Sequence, residues 1–157
     1  MPYEPMLDVV RRTMENLRFV EAHKNEEGTY EVTQLINSFL GVVCHPWDQL
    51  RDDFKRVQIG LDWPQFVSAQ PSLAVATDLY DLVRKVRNAF AHGNLVFLSQ
   101  QGEVSALRIQ NKIQQYPLPS RVVWDVTISV ADLHRFLDKF AAFVESLPER
   151  YQAKHVA

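Results

Sequence analysis

Hydrophobic residues recur at helical spacing in four segments of the chain. In residues 5–22 the apolar side chains are three or four positions apart: Met6, Val10, Met14, Leu17 and Val20. The same spacing returns in residues 30–43, in residues 74–91 and in residues 130–147. It is typical of amphipathic helices that bury one face against a core. We therefore predict four main helices.

Local signals suggest where these helices begin and end. Thr29 is a candidate N-cap for the second helix, and Ser129 followed by Asp132 has the form of a capping box before the fourth. Gly93 is placed to end the third helix in a left-handed conformation. Pro148 predicts the end of the last helix.

After Gly93 the hydrophobic period changes from near 3.6 to 2. The stretch "NLVFLSQQGEVSALRI" predicts two strands with a turn at Gln101–Gly102, and "RVVWDVTI" predicts a third, half-buried strand. Residues 47–57 predict a short additional helical piece, and residues 58–72 an irregular connection. The predicted fold class is mainly α: one domain over residues 1–157, a four-helix bundle with a small antiparallel β insertion before the last helix.

The stretch "DLVRKVRNAFAHGNL", residues 81–95, carries an unusual helix face. At about 100° per residue, with Leu79 at zero, the apolar stripe lies between about 280° and 40°. It is formed by Leu79, Leu82, Val83, Val86 and Phe90. The polar residues lie on the side away from that stripe, between about 80° and 220°. They are Tyr80, Arg84, Arg87, Asn88 and His92, with the small Ala91 among them.

These polar groups have the chemistry needed to bind and cleave a phosphodiester. An arginine offers a permanently charged fork of donors to phosphate oxygens, and a histidine can accept or donate a proton near neutral pH. An amide can orient a hydroxyl or a phosphate oxygen. The same residues also fit a solvated helix face whose terminal histidine meets the helix dipole. Spacing alone favours that second interpretation.

The amino-acid composition limits the class of protein and its possible partners in a few respects. Hydrophobic residues make up 46% and charged residues 23% of the 157 positions, as in an ordinary globular protein. The net charge of −2 means that any contact with a polyanion needs a local basic cluster. Cys44 is the only cysteine, which excludes an internal disulfide and favours the cytoplasm. We expect no signal peptide, no membrane span, no cofactor and no metal, with Cys44 a buried structural residue.

The motif "RNAFAHG" resembles the Arg-x4-6-His signature of the HEPN superfamily (higher eukaryotes and prokaryotes nucleotide-binding domains). The likeness extends more loosely to "TYEVTQLINSFLGVVCHPWDQL" and to the layout of helices. Members of that family are small helical bundles, often homodimers, and many are metal-independent endoribonucleases of toxin–antitoxin, phage-defence or RNA-processing systems. The resemblance thus implies RNA as the partner and a second copy of the chain in the active unit.

Carried over to this sequence, the resemblance makes Arg87 and His92 the catalytic pair, with Asn88 in support. Two such motifs meet across the family's dimer interface, and the RNA 2′-hydroxyl attacks the adjacent phosphate. We take Arg84, Lys85 and Tyr80 as candidate RNA-binding residues beside the pair.

Some family toxins carry a tyrosine two positions after the histidine, and a partner nucleotidyltransferase modifies it. Asn94 stands there in this chain, which argues against that form of control by an antitoxin protein. The alternative to a nuclease is a non-catalytic HEPN-like module that binds RNA, a nucleotide or a protein. A weaker alternative is a structural bundle, monomeric, with Arg87 and His92 open to water.

Overall fold

The computed structural model describes the backbone of residues 4–155 and the side chains of residues 5–148. Within these residues the chain forms five helices and a four-stranded antiparallel sheet. The elements in chain order are α1 (Glu4–Ala22), α2 (Glu31–Cys44), α3 (Trp47–Phe54), β1 (Val67–Ser68), α4 (Leu79–Ala91), β2 (Leu95–Gln100), β3 (Glu103–Gln115), β4 (Leu118–Ser129) and α5 (Val130–His155).

The prediction of a mainly α four-helix bundle was wrong, because the sheet is a major part of an α+β fold. Its strand order is β1-β4-β3-β2. Strands β3 and β4 contain 13 and 12 residues, longer than their apolar alternation indicated. The two-residue strand β1 pairs Val67 with Thr127 inside the segment predicted to be irregular. A two-residue strand is stabilised by its pairing with β4, and it is too short to show an alternating hydrophobic pattern in the sequence.

Two of the local signals are confirmed. The β2–β3 turn occurs at Gln101 and Gly102, both with positive φ (52° and 86°). The Ser129 hydroxyl accepts a hydrogen bond from the Asp132 backbone N–H at 3.0 Å, one half of a capping box, and donates to the Asp132 carboxylate at 3.0 Å.

Three other helix ends differ from prediction. The N-cap of α2 is Tyr30 rather than Thr29, and it makes no side-chain cap bond. Helix α4 begins at Leu79 rather than near Ala74, because the Asp78 carboxylate accepts the Asp81 N–H at 2.7 Å and satisfies a free donor of the first turn. Pro148 lies inside α5. A proline removes one N–H donor and crowds the preceding turn, and this helix continues beyond it.

The buried hydrophobic side chains form one contiguous cluster drawn from the helices and the inner face of the sheet. Phe136 of α5 is at its centre, with ring centroids 5.9 Å from Phe39, 5.3 Å from Trp63 and 5.2 Å from Phe66. Trp47 and Trp63 are buried, as core positions should be. The packing of this core holds α4 against α2 and α3, which sets the geometry described next.

Candidate functional site

Helix α4 carries the motif, and its C-terminal end is tightly defined. The backbone N–H of His92 donates to the Asn88 carbonyl at 3.2 Å, and that of Asn94 to the Ala89 carbonyl at 2.8 Å. Gly93 has φ +65°, which confirms the predicted left-handed cap. The chain then turns directly into β2. His92 is therefore the C-cap residue of a fixed helix end.

A groove of about 650 Å³ runs between α2 and the last turns of α4. From α4 it is lined by Arg87, Asn88, Phe90 and Ala91. From α2 and its end it is lined by Asn37, Leu40, Gly41, Cys44 and His45. The structure thus brings two of the three predicted motif residues together in one open cleft.

Arg87 is half-buried and lines this groove. Its guanidinium carbon lies 5.3 Å from the centroid of the Trp47 ring, a cation–π distance. The Trp47 ring also contacts Tyr80 and Phe54, whose ring centroids are 4.9 Å and 6.3 Å away. Among the side chains of residues 5–148, no carboxylate forms an ion pair with Arg87. Its positive charge is held in position and is not neutralised.

Arg84 and Lys85 are in a different situation. Both bind the same carboxylate, Asp81, at 2.8 Å and 2.6 Å. Although partial burial raises the pKa of Asp81, the hydrogen bonds from these two cations outweigh it and lower that pKa. The cluster carries two positive charges against one negative charge, so its field is weaker than the sequence alone suggests.

Phe90 was predicted to belong to the buried stripe, and this was wrong: its side chain is 51% exposed. Ala89 occupies the buried position instead. Phe90 faces the groove, where α2 presents Gly41, and a Cβ built on that glycine would meet no atom within 4 Å. With glycine at position 41, no side chain of α2 fills this part of the groove. The groove therefore has an apolar rim beside its cation.

His92 is exposed and does not line the groove. Arg87 and His92 are five residues apart, so they point about 140° away from each other around the helix. Asn88 lies between the two directions. Within one chain, the structure brings Arg87 and Asn88 together and leaves His92 on a neighbouring face.

Two polar residues of the groove were missed by sequence reasoning, Asn37 and His45. The helical period was the available signal, because Asn37, Gly41 and Cys44 lie four and three positions apart on one side of α2. Which element α2 faces is a tertiary fact that this period does not contain. His45 follows the helix as its C-cap residue, with its side chain exposed.

Cys44 lies in the groove wall as a poor nucleophile. Burial raises the pKa of its thiol to about 11, although the nearby Arg87 charge acts in the opposite direction. A thiol with that pKa is almost entirely protonated at neutral pH. The raised pKa fits a structural role, but Cys44 is half-buried at the groove and not fully buried as predicted.

The family model described as HEPN pEK499 p136 matches residues 1–150. The chain belongs to this HEPN family. No curated protein and no solved structure matches this HEPN chain significantly. In the part of the chain that the structure describes, none of the helices is long and apolar enough to cross a membrane. Those same residues contain no group of three or more His, Cys, Asp or Glu side chains arranged to hold a metal ion.

Proposed function

We propose that this HEPN chain is a metal-independent endoribonuclease that acts as a homodimer, in a toxin or phage-defence role. The observation that carries the proposal is the un-neutralised Arg87, held on Trp47 beside Asn88 in an open groove. A half-buried guanidinium without a counter-ion, fixed in an open groove, is suited to bind an anion. Membership of the HEPN family makes an RNA phosphate the anion to test first.

The reaction uses the nucleophile that RNA itself carries. A base removes the proton of a 2′-hydroxyl, whose oxygen forms a bond to the adjacent phosphorus. The bond from phosphorus to the 5′-oxygen breaks, and that oxygen takes up a proton. The products are a 2′,3′-cyclic phosphate and a 5′-hydroxyl. In this scheme Arg87 stabilises the added charge on the phosphorus oxygens, His92 transfers the proton and Asn88 orients an oxygen.

The divergence of Arg87 and His92 supports a dimer. Because the two side chains point about 140° apart, a phosphate bound at Arg87 is not faced by His92 of the same chain. A second copy related by a two-fold axis can supply its own His92 to the groove. The exposed Phe90 at the rim is the apolar surface that such a copy would cover.

The proposal is tested by cleavage of total cellular RNA and of a labelled single-stranded RNA in EDTA. Wild type, Arg87→Ala and His92→Ala are compared, with Arg11→Ala as a matched control on the exposed side of α1. We expect cyclic-phosphate products from wild type and the control, and a loss of roughly 100-fold or more in both motif variants. Equal activity in all four proteins would refute the assignment. His45→Ala, run alongside, tests whether the groove histidine transfers the proton instead.

The second candidate function is a non-catalytic module that binds RNA or a nucleotide through the Arg87 groove. The position of His92 outside that groove favours it. It predicts that wild type binds RNA without cleaving it and that Arg87→Ala weakens binding while His92→Ala leaves it unchanged. Single-turnover cleavage by wild type would exclude it.

A further inference from the structure

Strands β3 and β4 continue beyond the rest of the sheet as a two-stranded ribbon. Strand β2 pairs with β3 only as far as Ile109, and β1 pairs with β4 only at Val126 and Thr127. Residues 111–115 of β3 and residues 118–124 of β4 pair only with each other. We call residues 111–124 the distal ribbon. From Asn111 to Gln115 it extends about 14 Å at the usual rise per residue.

The distal ribbon is locally basic in an acidic chain. Residues 104–124 contain no aspartate or glutamate, although the whole chain has a net charge of −2. Lys112 and Arg121 are both exposed, and neither forms an ion pair with another side chain of residues 5–148. This differs from Arg84 and Lys85, which share Asp81. The ribbon therefore offers two cations that are free to meet an anion.

The end of the ribbon also exposes apolar surface. Tyr116 in the turn is 91% exposed, Leu118 is 62% exposed and Ile113, directly opposite Arg121, is 41% exposed. A tyrosine ring that contacts so little of its own chain can stack on a nucleobase, and nearby cations can meet the phosphates on either side. Single-stranded nucleic acid can use both features, because its bases stack on the ring and its phosphates meet the cations. An apolar protein surface would use only the ring and would leave the cations without a partner.

The root of the ribbon is attached to the motif helix. The Asn111 side-chain amide donates to the Lys85 carbonyl at 2.8 Å, and Lys85 Nζ lies 5.6 Å from the centroid of the Trp124 ring. Lys85 and His92 are seven residues apart, so they lie within about 20° of each other around α4. The ribbon thus leaves the body of the molecule on the side of α4 that carries His92, away from the Arg87 groove.

We propose that the distal ribbon is a binding arm for single-stranded RNA, which it holds along the His92 side of α4. The choice of RNA rests on the proposed function, while the charge, exposure and attachment of the ribbon stand without it. In this arrangement Lys112 and Arg121 contact phosphates and Tyr116 stacks on a base. The arm would set which stretch of a bound strand reaches the motif.

The test measures binding separately from cleavage. Fluorescence anisotropy with a labelled 2′-O-methyl RNA of about 20 nucleotides reports binding alone, since that RNA has no 2′-hydroxyl to attack. The double variant Lys112→Gln/Arg121→Gln is compared with wild type and with Arg11→Gln/Arg18→Gln. The control removes the same charge from exposed positions of α1 that have no ion-pair partner among the described side chains. Circular dichroism confirms that each variant is folded.

We expect the ribbon variant to lose at least ten-fold in affinity, and the slope of log affinity against log salt to become shallower by about 1.4, two phosphate contacts at about 0.7 each. Tyr116→Ala should weaken binding about five-fold or more, and Tyr116→Phe should keep wild-type affinity because it retains the ring. Equal losses in the ribbon and control variants would overturn the proposal. So would a wild-type chain that does not bind this RNA at low salt. A ribbon variant that binds like wild type but differs in oligomeric state by light scattering would also overturn it, and would make the ribbon an interface between copies.

The outcomes for the ribbon and for the nuclease are distinguishable. If the ribbon variant loses binding while wild type never cleaves unmodified RNA, the arm stands and the proposed reaction fails. If Arg87→Ala abolishes cleavage while the ribbon variant binds and cleaves like wild type, the reaction stands and the arm fails.

Discussion

Replacing Asp125 should lower the stability of the sheet by a large and measurable amount. Its side chain is fully buried between β1 and β3. The carboxylate accepts hydrogen bonds from Arg108 Nε at 2.8 Å and Nη2 at 2.6 Å, from Gln70 at 2.9 Å and from Gln110 at 3.0 Å. The backbone carbonyl of the same residue accepts the Ala69 N–H at 2.9 Å. One carboxylate therefore ties the segment after β1 to the centre of the sheet.

The magnitude follows from these four side-chain bonds. All four are accepted by an ionised carboxylate, two from one arginine and two from neutral amides, and each contributes about 0.5–2 kcal/mol net of competing water. Arg108 remains 38% exposed and can be solvated once its partner is gone, which reduces the loss. We estimate that Asp125→Ala lowers the free energy of unfolding by about 3 kcal/mol, within the range for breaking a buried pair. For a chain of this length that corresponds to a fall in Tm of roughly 6–12 °C.

The assay is thermal unfolding followed by circular dichroism at pH 7, with Glu15→Ala on the exposed side of α1 as the control. The control should melt within about 2 °C of wild type. Near-equal melting of Asp125→Ala and Glu15→Ala would refute the reasoning, since it would mean that the buried network contributes nothing net.

The pH dependence gives the same prediction a second, independent test. The Arg108 hydrogen bonds, aided by Gln70 and Gln110, hold the pKa of Asp125 far below its usual range, although burial acts to raise it. A carboxylate with a depressed folded-state pKa stabilises the fold fully above its unfolded-state pKa of about 3.9. That contribution is lost as the pH falls below this value towards the folded-state pKa. Asp125→Asn should therefore show a smaller loss of stability between pH 5 and pH 2 than wild type, and an unchanged slope would contradict the network.

Three further predictions concern the groove and the Asp81 cluster beside it. Gly41→Trp should fill groove space beside Phe90 and abolish RNA cleavage. Gly41→Ala should keep activity and raise the free energy of unfolding by about 0.5 kcal/mol, because its Cβ meets no atom within 4 Å. Inhibition by both variants, or by neither, would contradict this. Cys44 should react with iodoacetamide at pH 7.5 roughly 100-fold more slowly than an unperturbed thiol, and its rate should rise about ten-fold per pH unit. Labelling as fast as that of an unperturbed thiol would refute the raised pKa. Asp81→Asn should release Arg84 and Lys85 and tighten RNA binding several-fold at low salt, as measured by anisotropy, while unchanged affinity would show that these cations do not contact RNA.

Helical periodicity predicted much of the fold. It placed α1, α2, α4 and α5, with a short helical piece at α3, because each has apolar residues that recur at helical spacing and face a common core. It underestimated the sheet for a physical reason. Residues 111–121 have no alternating apolar pattern, since the distal ribbon has no core to face, and their pairing depends on the partner strand.

The candidate site was predictable in part. The motif and its helix could be read from the sequence, and family membership agrees with that interpretation. The sequence alone could not show which side chains of α4 point towards α2. Helical angles placed Arg87 and His92 outside the apolar stripe, but only the packing of α4 against α2 shows that Arg87 enters a groove and His92 does not. His45 and the exposure of Phe90 were missed for the same reason.

We propose that Arg87 of one chain works with His92 of another, and mixing two inactive variants is the sharpest test of this shared site. Arg87→Ala and His92→Ala chains are unfolded together, refolded and assayed on RNA in EDTA, with each variant refolded alone as the control. Half of the randomly paired dimers contain one chain of each kind, and one of their two clefts is intact, so we predict recovery of about a quarter of wild-type activity. No recovery above the separate variants, when wild type refolded in the same way cleaves RNA, would contradict the shared site.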